Sequence, residues 1–131
     1  MTSVVKIGRY QIFDLSEAKE LFPIVQKITK LQHAKNCQIE ERLQRLLMAD
    51  PRRQHYQEQF KENITQWKIK MEGLGLRVHS LWQLEFQVGS GSLCWEFPEL
   101  AISHFLPEGS DWNNRIRLKE YIDSHDPDWA Y

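Results

Sequence analysis

The stretch from residue 90 to 105, SGSLCWEFPELAISHF, gathers side chains of the types that most often carry out chemistry in proteins. It contains a cysteine, two glutamates and a histidine. Carboxylate and imidazole groups are ligands that first-row divalent metals accept. A thiol becomes a nucleophile where a neighbouring base lowers its pKa. The stretch therefore raises two chemical hypotheses, a metal site and a reactive cysteine.

The metal hypothesis depends on side chains that a small sheet would bring together. The candidate ligands for a divalent metal are Glu85, Glu96, Glu99 and His104, with His79 as a further neighbour. None of them belongs to a compact motif such as HExxH. The alternative is a set of charges on the exposed face of a sheet with one hydrogen-bonded histidine, and the pattern favours this alternative.

Cys94 and Trp95 are adjacent, and in an extended strand they point to opposite faces. Leu93, Trp95 and Phe97 then form an apolar trio on one face, so we expect Trp95 to pack in the core against helices. A nucleophilic Cys94 would need a histidine from a neighbouring strand. Free cysteine is commonly buried as a small apolar side chain, and no cysteine-hydrolase signature surrounds Cys94, so the nucleophile is the weaker alternative.

Composition narrows the class of protein. The chain has 131 residues, 41% of them hydrophobic and 27% charged, as expected for one soluble globular domain over residues 1–131. The net charge of −1 argues against nucleic acid as a partner. No GxGxxG, GxxxxGK or GxSxG motif is present, and the VGSGS segment is explained by a hairpin turn.

The sequence predicts a cytoplasmic protein without a membrane partner. The first residues, MTSVVKIGRYQIF, lack the apolar run of a signal peptide, and no later segment approaches transmembrane length. Cys37 and Cys94 have no CxxC spacing. In a reducing compartment we expect both to remain free thiols.

Helix signals follow a short N-terminal strand within residues 1–13. Asp14 is placed to cap a helix, with Glu17 completing a capping box. Pro23 predicts a kink or a restart. Apolar residues then return at intervals of three or four at Ile24, Ile28, Leu31, Ile39, Leu43 and Leu46. This pattern predicts a helix that reaches about Met48.

A second helix is predicted to begin with Asp50 as its cap and Pro51 in its first position. Its apolar stripe consists of Tyr56, Phe60, Ile64, Trp67 and Met71. Gly73 and Gly75 provide the stop. Two long helices with a short connection must form an antiparallel hairpin, here over residues 14–74. Such helices offer more apolar surface than a small sheet covers, which predicts a homo-oligomer formed through the hairpin.

From Gly75 the apolar residues alternate, as in strands. The pattern predicts an antiparallel β-meander of three to four strands over residues 75–106, including LCWEF and LAISHF, which the N-terminal strand could join. Residues 107–131 form a C-terminal extension with one short helix from about Asn114 to Asp123. The expected fold class is α+β, a long helical hairpin packed with a small sheet.

Two separated segments carry a recognisable pattern, FDLSEAKELFPIV at residues 13–25 and LEFQVGSGSLCWEFPELAISHF at residues 84–105. Together they resemble a family, the bacterial domain of unknown function 2203. The positions that match the family pattern are Glu17, Pro23, Cys94, Trp95, Glu99 and Arg115, and Glu85 stands where the family has a strand aspartate. The family histidine would fall at Leu106, whereas His104 lies two positions earlier. The resemblance implies a fold and no established activity.

Two function hypotheses remain. The leading one is a small interaction or assembly module without catalytic activity, because the helices exceed what the sheet can cover. The alternative is a metal-dependent enzyme or metal-binding protein with its site on the sheet, in which Cys94, Trp95 and Arg115 are further candidate site residues.

Overall fold

The computed structural model describes residues 5–7 and 10–124, which form an α+β fold as predicted. Its helices are α1 (Leu15–Gln44), α2 (Arg52–Gly73) and α3 (Leu118–Ser124), with one 3-10 turn at Trp112–Asn114. Its strands are β1 (Val5–Ile7), β2 (Tyr10–Ile12), β3 (Arg77–Ser80), β4 (Gln83–Gln87), β5 (Gly91–Glu96), β6 (His104–Pro107) and β7 (Ile116–Arg117). Within the described residues, no helix combines the length and apolarity needed to cross a membrane.

Helix α1 starts with the predicted capping box. Asp14 Oδ1 accepts the Glu17 N–H at 2.7 Å, and Glu17 Oε1 accepts the Asp14 N–H at 3.0 Å. The helix then continues through Pro23 without the predicted restart and ends at Gln44, before the expected limit at Met48. A proline costs one backbone hydrogen bond, and the long helix on both sides tolerates that loss.

The packed face of α1 differs from the apolar stripe in the sequence. Ile24 and Leu31 are 51% and 57% exposed. The buried positions instead include the polar residues Thr29, Gln32 and Asn36. These polar residues are buried because α2 supplies hydrogen-bond partners for them, which a count of apolar residues does not detect.

Gln32, Asn36 and Asn63 form what we call the amide layer between α1 and α2. Gln32 Nε2 donates to Asn63 Oδ1 at 2.8 Å, and Asn63 Nδ2 donates to the Gln32 carbonyl at 2.8 Å and to Asn36 Oδ1. One turn away, Trp67 Nε1 donates to Thr29 Oγ1 at 2.9 Å. The layer fixes one register of the hairpin, since a slip along either helix would break all of these bonds.

The two ends of α2 agree closely with the sequence. Pro51 already has helical backbone angles, and Asp50 Oδ1 accepts the Arg52 N–H at 2.9 Å, so Asp50 caps the helix start. After Gly73, Gly75 has a φ of +93°, and a Cβ there would lie 2.6 Å from the Cβ of Gln11. Glycine is therefore required at position 75 both for backbone angle and for space.

The main sheet has five antiparallel strands in the order β3-β4-β5-β6-β7, one more than the predicted meander allows. The expectation that the N-terminal strand joins it is wrong, since β1 and β2 form a separate two-stranded sheet. Among the described residues, single backbone hydrogen bonds connect this region to the rest of the chain, such as the bond from the Phe13 N–H to the Gln87 carbonyl, at 2.7 Å.

The last predicted strand, LAISHF, is extended only at its end. β6 begins at His104, and Leu100 is 88% exposed. A turn replaces the earlier part, because Pro98 has no N–H to give a ladder and the Glu99 N–H donates to the Glu96 carbonyl at 2.8 Å. The C-terminal helix also begins later than expected, at Leu118, because Ile116 and Arg117 join the sheet as β7.

The core lies between the hairpin and one face of the sheet, which we call the inner face. Trp95 is fully buried there and meets Phe22 of α1 edge-on at 5.4 Å between ring centroids. The Trp95 Nε1 donates to the Glu99 carbonyl at 2.7 Å. The prediction that Trp95 packs in the core against the helices is confirmed, so this residue positions β5 rather than facing a ligand.

Candidate functional site

The opposite face of the sheet, the outer face, carries one row of polar residues that crosses all five strands. Adjacent strands pair Arg77 with Glu85, Glu85 with Cys94, Cys94 with His104, and His104 with Arg117. Three of the predicted site residues, Glu85, Cys94 and His104, are therefore neighbours. The alternation of strand side chains places all of them on the face away from the hairpin.

Glu85 is the most unusual of these residues because its carboxylate is buried, with only 4% of the residue exposed. The Ser92 hydroxyl donates to Glu85 Oε1 at 2.9 Å, and His79 Nδ1 lies 2.7 Å from Glu85 Oε2. A buried carboxylate is costly unless hydrogen bonds compensate it. Here Ser92 and His79 supply that compensation, one to each oxygen.

Residues 108–115 cross the outer face and are anchored to it by Trp112 and Arg115. Trp112 Nε1 donates to Glu96 Oε1 at 3.1 Å, and the indole lies against the His79 ring at 4.7 Å between centroids. Arg115 stacks over the Trp112 ring at 4.8 Å and donates to Glu99 Oε2 at 3.3 Å. This segment covers part of the sheet and is held there by hydrogen bonds to Glu96 and Glu99, two of the predicted metal ligands.

Cys94 lies beneath this segment and is fully buried. Burial raises the pKa of its thiol to about 12, and the Arg115 guanidinium offsets only part of that rise. An attacking thiolate requires a lowered pKa. The surroundings of Cys94 thus favour the protonated thiol, as in a small apolar core side chain.

The four predicted metal ligands have separate partners. Glu85 bonds to Ser92 and His79, Glu96 to Trp112, and Glu99 to Arg115 and to the Glu96 N–H at 2.8 Å. His104 Nδ1 lies 3.1 Å from Ser103 Oγ. Among residues 5–7 and 10–124, no group of three His, Cys, Asp or Glu side chains is arranged to hold a metal ion. A metal bound by these four residues stays a prediction from the sequence.

A polar cavity of about 430 Å³ opens on the outer face beside Glu85. Its walls are formed by Arg77, His79, Glu85, Gln87, Gly91, Ser92 and the segment Leu106–Ser110. Glu85 was a candidate site residue from the sequence, whereas Arg77 and Ser92 were not. Only the register of the strands brings Arg77 and Ser92 close to Glu85. The alternation of Arg77 and His79 in β3 is the one local signal that both side chains could reach the same face.

The hairpin offers a second candidate surface. Among the described residues, no residue from 37 to 62 is buried, so this distal half of the hairpin has no core of its own. A groove there lies between α1 and α2 and is lined by Glu40, Leu43, Gln57, Phe60 and Lys61. Its floor is apolar, and its rim carries one acidic and one basic residue.

Comparison with known proteins assigns the chain to a family. The family described as an uncharacterized conserved protein, DUF2203, matches residues 11–118, from β2 to the first residue of α3. No curated protein and no solved structure gives a match. The matched range contains the hairpin, the polar row and the segment that covers it. The chain therefore belongs to the domain of unknown function 2203 family.

Proposed function

We propose that this protein is an assembly module without catalytic activity that pairs with a second copy of itself through the distal half of the hairpin. The observation that carries the proposal concerns residues 37–62, all of which the structure describes. Most of them are helical, yet none of them is buried. Isolated helices are only marginally stable in water, and most helical stability in proteins comes from packing an apolar face.

The groove residues suit a copy of the same chain. Leu43 and Phe60 supply an apolar floor, and Glu40 and Lys61 lie at the rim on opposite helices. A two-fold axis through the groove would set Glu40 of each copy against Lys61 of the other. Isologous contacts require such self-complementary surfaces. Leu47 and Met48 at the hairpin tip, 81% and 85% exposed, would add apolar area.

Analytical ultracentrifugation tests the proposal directly. The wild-type protein should sediment as a dimer at about 100 μM, a concentration at which a micromolar complex is fully formed. Glu40→Lys should weaken the dimer by about tenfold, because like charges then face each other across the axis. Lys61→Glu should do the same, and the double exchange Glu40→Lys with Lys61→Glu should restore association.

Glu62→Lys is the matched control, because Glu62 is exposed on the other side of the hairpin. It changes the net charge as Glu40→Lys does and should leave the dimer intact. A wild-type chain that remains monomeric at this concentration would refute the proposal. A dimer that ignores both single exchanges would place the contact on some other surface and would equally refute it.

A further inference from the structure

A cavity of about 710 Å³ opens where the start of α1 and helix α3 meet strands β6 and β7. Leu15 and Lys19 line it from the first turns of α1, whereas the assembly proposal uses only residues 37–62. Sites for small organic molecules are usually clefts of about 300–1,000 Å³ with mostly apolar walls and a few polar groups. The cavity is therefore large enough for such a molecule, and its floor and rim differ in character.

The floor of this cavity is aliphatic. Leu15, Ile102 and Leu118 belong to the core and are at most 8% exposed, and the partly buried Ile122 packs beside them. Among the described residues, no aromatic side chain lines the cavity. A ligand would therefore be held there through buried apolar area rather than through ring stacking, which suits a hydrocarbon chain.

The rim of the cavity is cationic. Lys19, Arg117 and Lys119 reach it from α1, β7 and α3, and within the described residues Asp123 is its one acidic group. Three positive charges against one negative charge leave a surplus of two, on a chain whose net charge is −1. His104 also lines the cavity and adds a positive charge when it is protonated. Such a concentration of one sign attracts anions and repels cations.

Arg117 differs from the other arginines because it has no partner. Seven arginines lie in the described residues, and six of them contact another group. Ion pairs or hydrogen bonds engage Arg45, Arg52, Arg53 and Arg115, a ring engages Arg42, and Arg77 also has a partner. Within the same residues Arg117 forms no such contact, and neither do Lys19 and Lys119. All three cations at the rim therefore keep their donors for a ligand.

We propose that this cavity binds a medium-chain aliphatic carboxylate, with its carboxylate at Arg117 and its chain along the aliphatic floor. A guanidinium binds a carboxylate through two parallel hydrogen bonds, and Lys19 and Lys119 add positive charge at the same rim. A purely polar anion would leave the floor in contact with water, and an apolar cation would be repelled by the rim. A chain with one terminal negative charge satisfies both parts of the cavity.

Isothermal titration calorimetry of the full chain tests this inference with butyrate, hexanoate, octanoate and decanoate, each below its micelle concentration. The affinity should rise about fourfold for each added methylene that the floor covers. Octylamine reverses the charge and 1-octanol removes it, so both should bind at least about tenfold more weakly than octanoate. Octyl phosphate should bind no more tightly than octanoate. Tighter binding of the phosphate would overturn the carboxylate assignment.

Arg117→Gln should weaken octanoate binding by about tenfold or more, because the charge-assisted bonds to the carboxylate are lost. Lys68→Gln is the matched control for the loss of one positive charge, because Lys68 is exposed on α2 and does not line the cavity. In NMR spectra of the labelled protein, octanoate should shift the methyl signals of Ile102, Leu118 and Ile122 in a saturable way.

The proposal is overturned if octanoate does not bind, if its affinity does not depend on chain length, or if octylamine or 1-octanol binds equally well. It is also overturned if these methyl signals do not shift, or if Arg117→Gln and Lys68→Gln behave alike. None of these outcomes depends on whether the hairpin dimerises.

Discussion

The hairpin and the outer face of the sheet both bury polar side chains, but they bury different kinds. The amide layer of Gln32, Asn36 and Asn63 consists of neutral groups that bond to one another between two helices. The outer face buries Glu85, an ionisable group, next to a cavity and a partly exposed histidine. Neutral groups that bond to each other specify packing, and of the amide-layer donors in the described residues only Asn36 Nδ2 is buried without a partner. The buried Glu85 carboxylate instead fixes the orientation of His79, which lines the cavity.

This contrast predicts a large cost for breaking the amide layer. Asn63→Ala removes the side-chain acceptor of Gln32 and the donor to Asn36 Oδ1. Asn36 Oδ1 then loses this donor inside the core, and Gln32 Nε2 keeps its 3.2 Å bond to the backbone carbonyl of residue 63. The free energy of unfolding should fall by about 3 kcal/mol, because each unsatisfied buried group costs about 1–3 kcal/mol. Urea denaturation measures the loss. Gln66→Ala, an exposed change on the same helix, should stay within about 0.5 kcal/mol of wild type.

A triple replacement completes the test of the amide layer. The variant that combines Gln32→Leu, Asn36→Leu and Asn63→Leu removes all three polar side chains of the amide layer, so none of them remains buried without a partner. Most of the stability lost in Asn63→Ala should return, because removing both partners of a buried bond is nearly neutral. If the triple variant is as unstable as the single one, the layer acts through shape rather than through hydrogen bonding.

The sequence predicted the parts of the fold that depend on local patterns. The capping box of Asp14 and Glu17 involves residues three positions apart, and the burial of Trp95 follows from strand alternation. The amide layer was not predictable in this way. Gln32 and Asn63 are residue types that usually lie at the surface, and only the partner helix makes their burial favourable.

The candidate site was predicted only in part, for a related reason. Glu85, Cys94 and His104 were recognised by residue type, and the structure places them in one row. The other two predicted ligands, Glu96 and Glu99, are bonded to Trp112 and Arg115, which reach the outer face from the segment between β6 and β7. Long-range contacts of this kind leave no periodic trace in the sequence, so the metal grouping could be suggested but its separate partners could not.

The buried thiol of Cys94 on the outer face predicts that the stability of the protein depends on pH. Burial raises the pKa of the Cys94 thiol from 9.0 to about 12. Above pH 9 the unfolded chain ionises this thiol while the folded chain keeps its proton, so the thiol destabilises the fold increasingly as the pH rises from 9 toward 12. Relative to Cys94→Ala, wild type should lose about 2 kcal/mol between pH 9 and about pH 10.5.

Denaturation of both proteins across this pH range provides the measurement. Cys37→Ala is the matched control for the loss of a thiol, because Cys37 is exposed on α1. Parallel curves for wild type and Cys94→Ala would mean that solvent reaches the Cys94 thiol in the folded chain. The covering segment would then not seal the outer face around Cys94.

The smallest expected effect belongs to Glu85 itself. Glu85→Gln keeps the shape of the side chain and an acceptor for Ser92, and removes the charge that holds His79. We expect a loss of about 1 kcal/mol, the difference between a charged and a neutral hydrogen bond. Water in the adjacent cavity can form hydrogen bonds with any group that the substitution leaves without a partner. The amide layer is buried between two helices, so water cannot replace a lost bond there.

The decisive comparison is therefore between Asn63→Ala and Glu85→Gln in the same urea experiment, with the His79 ring followed by NMR. A small stability loss together with a changed His79 environment means that Glu85 positions the histidine. A loss near 3 kcal/mol, the value expected for an unsatisfied buried group, would make Glu85 a packing residue of the same kind as Asn63. The outer face would then have no group held ready for a ligand, and the distinction between the two polar regions would disappear.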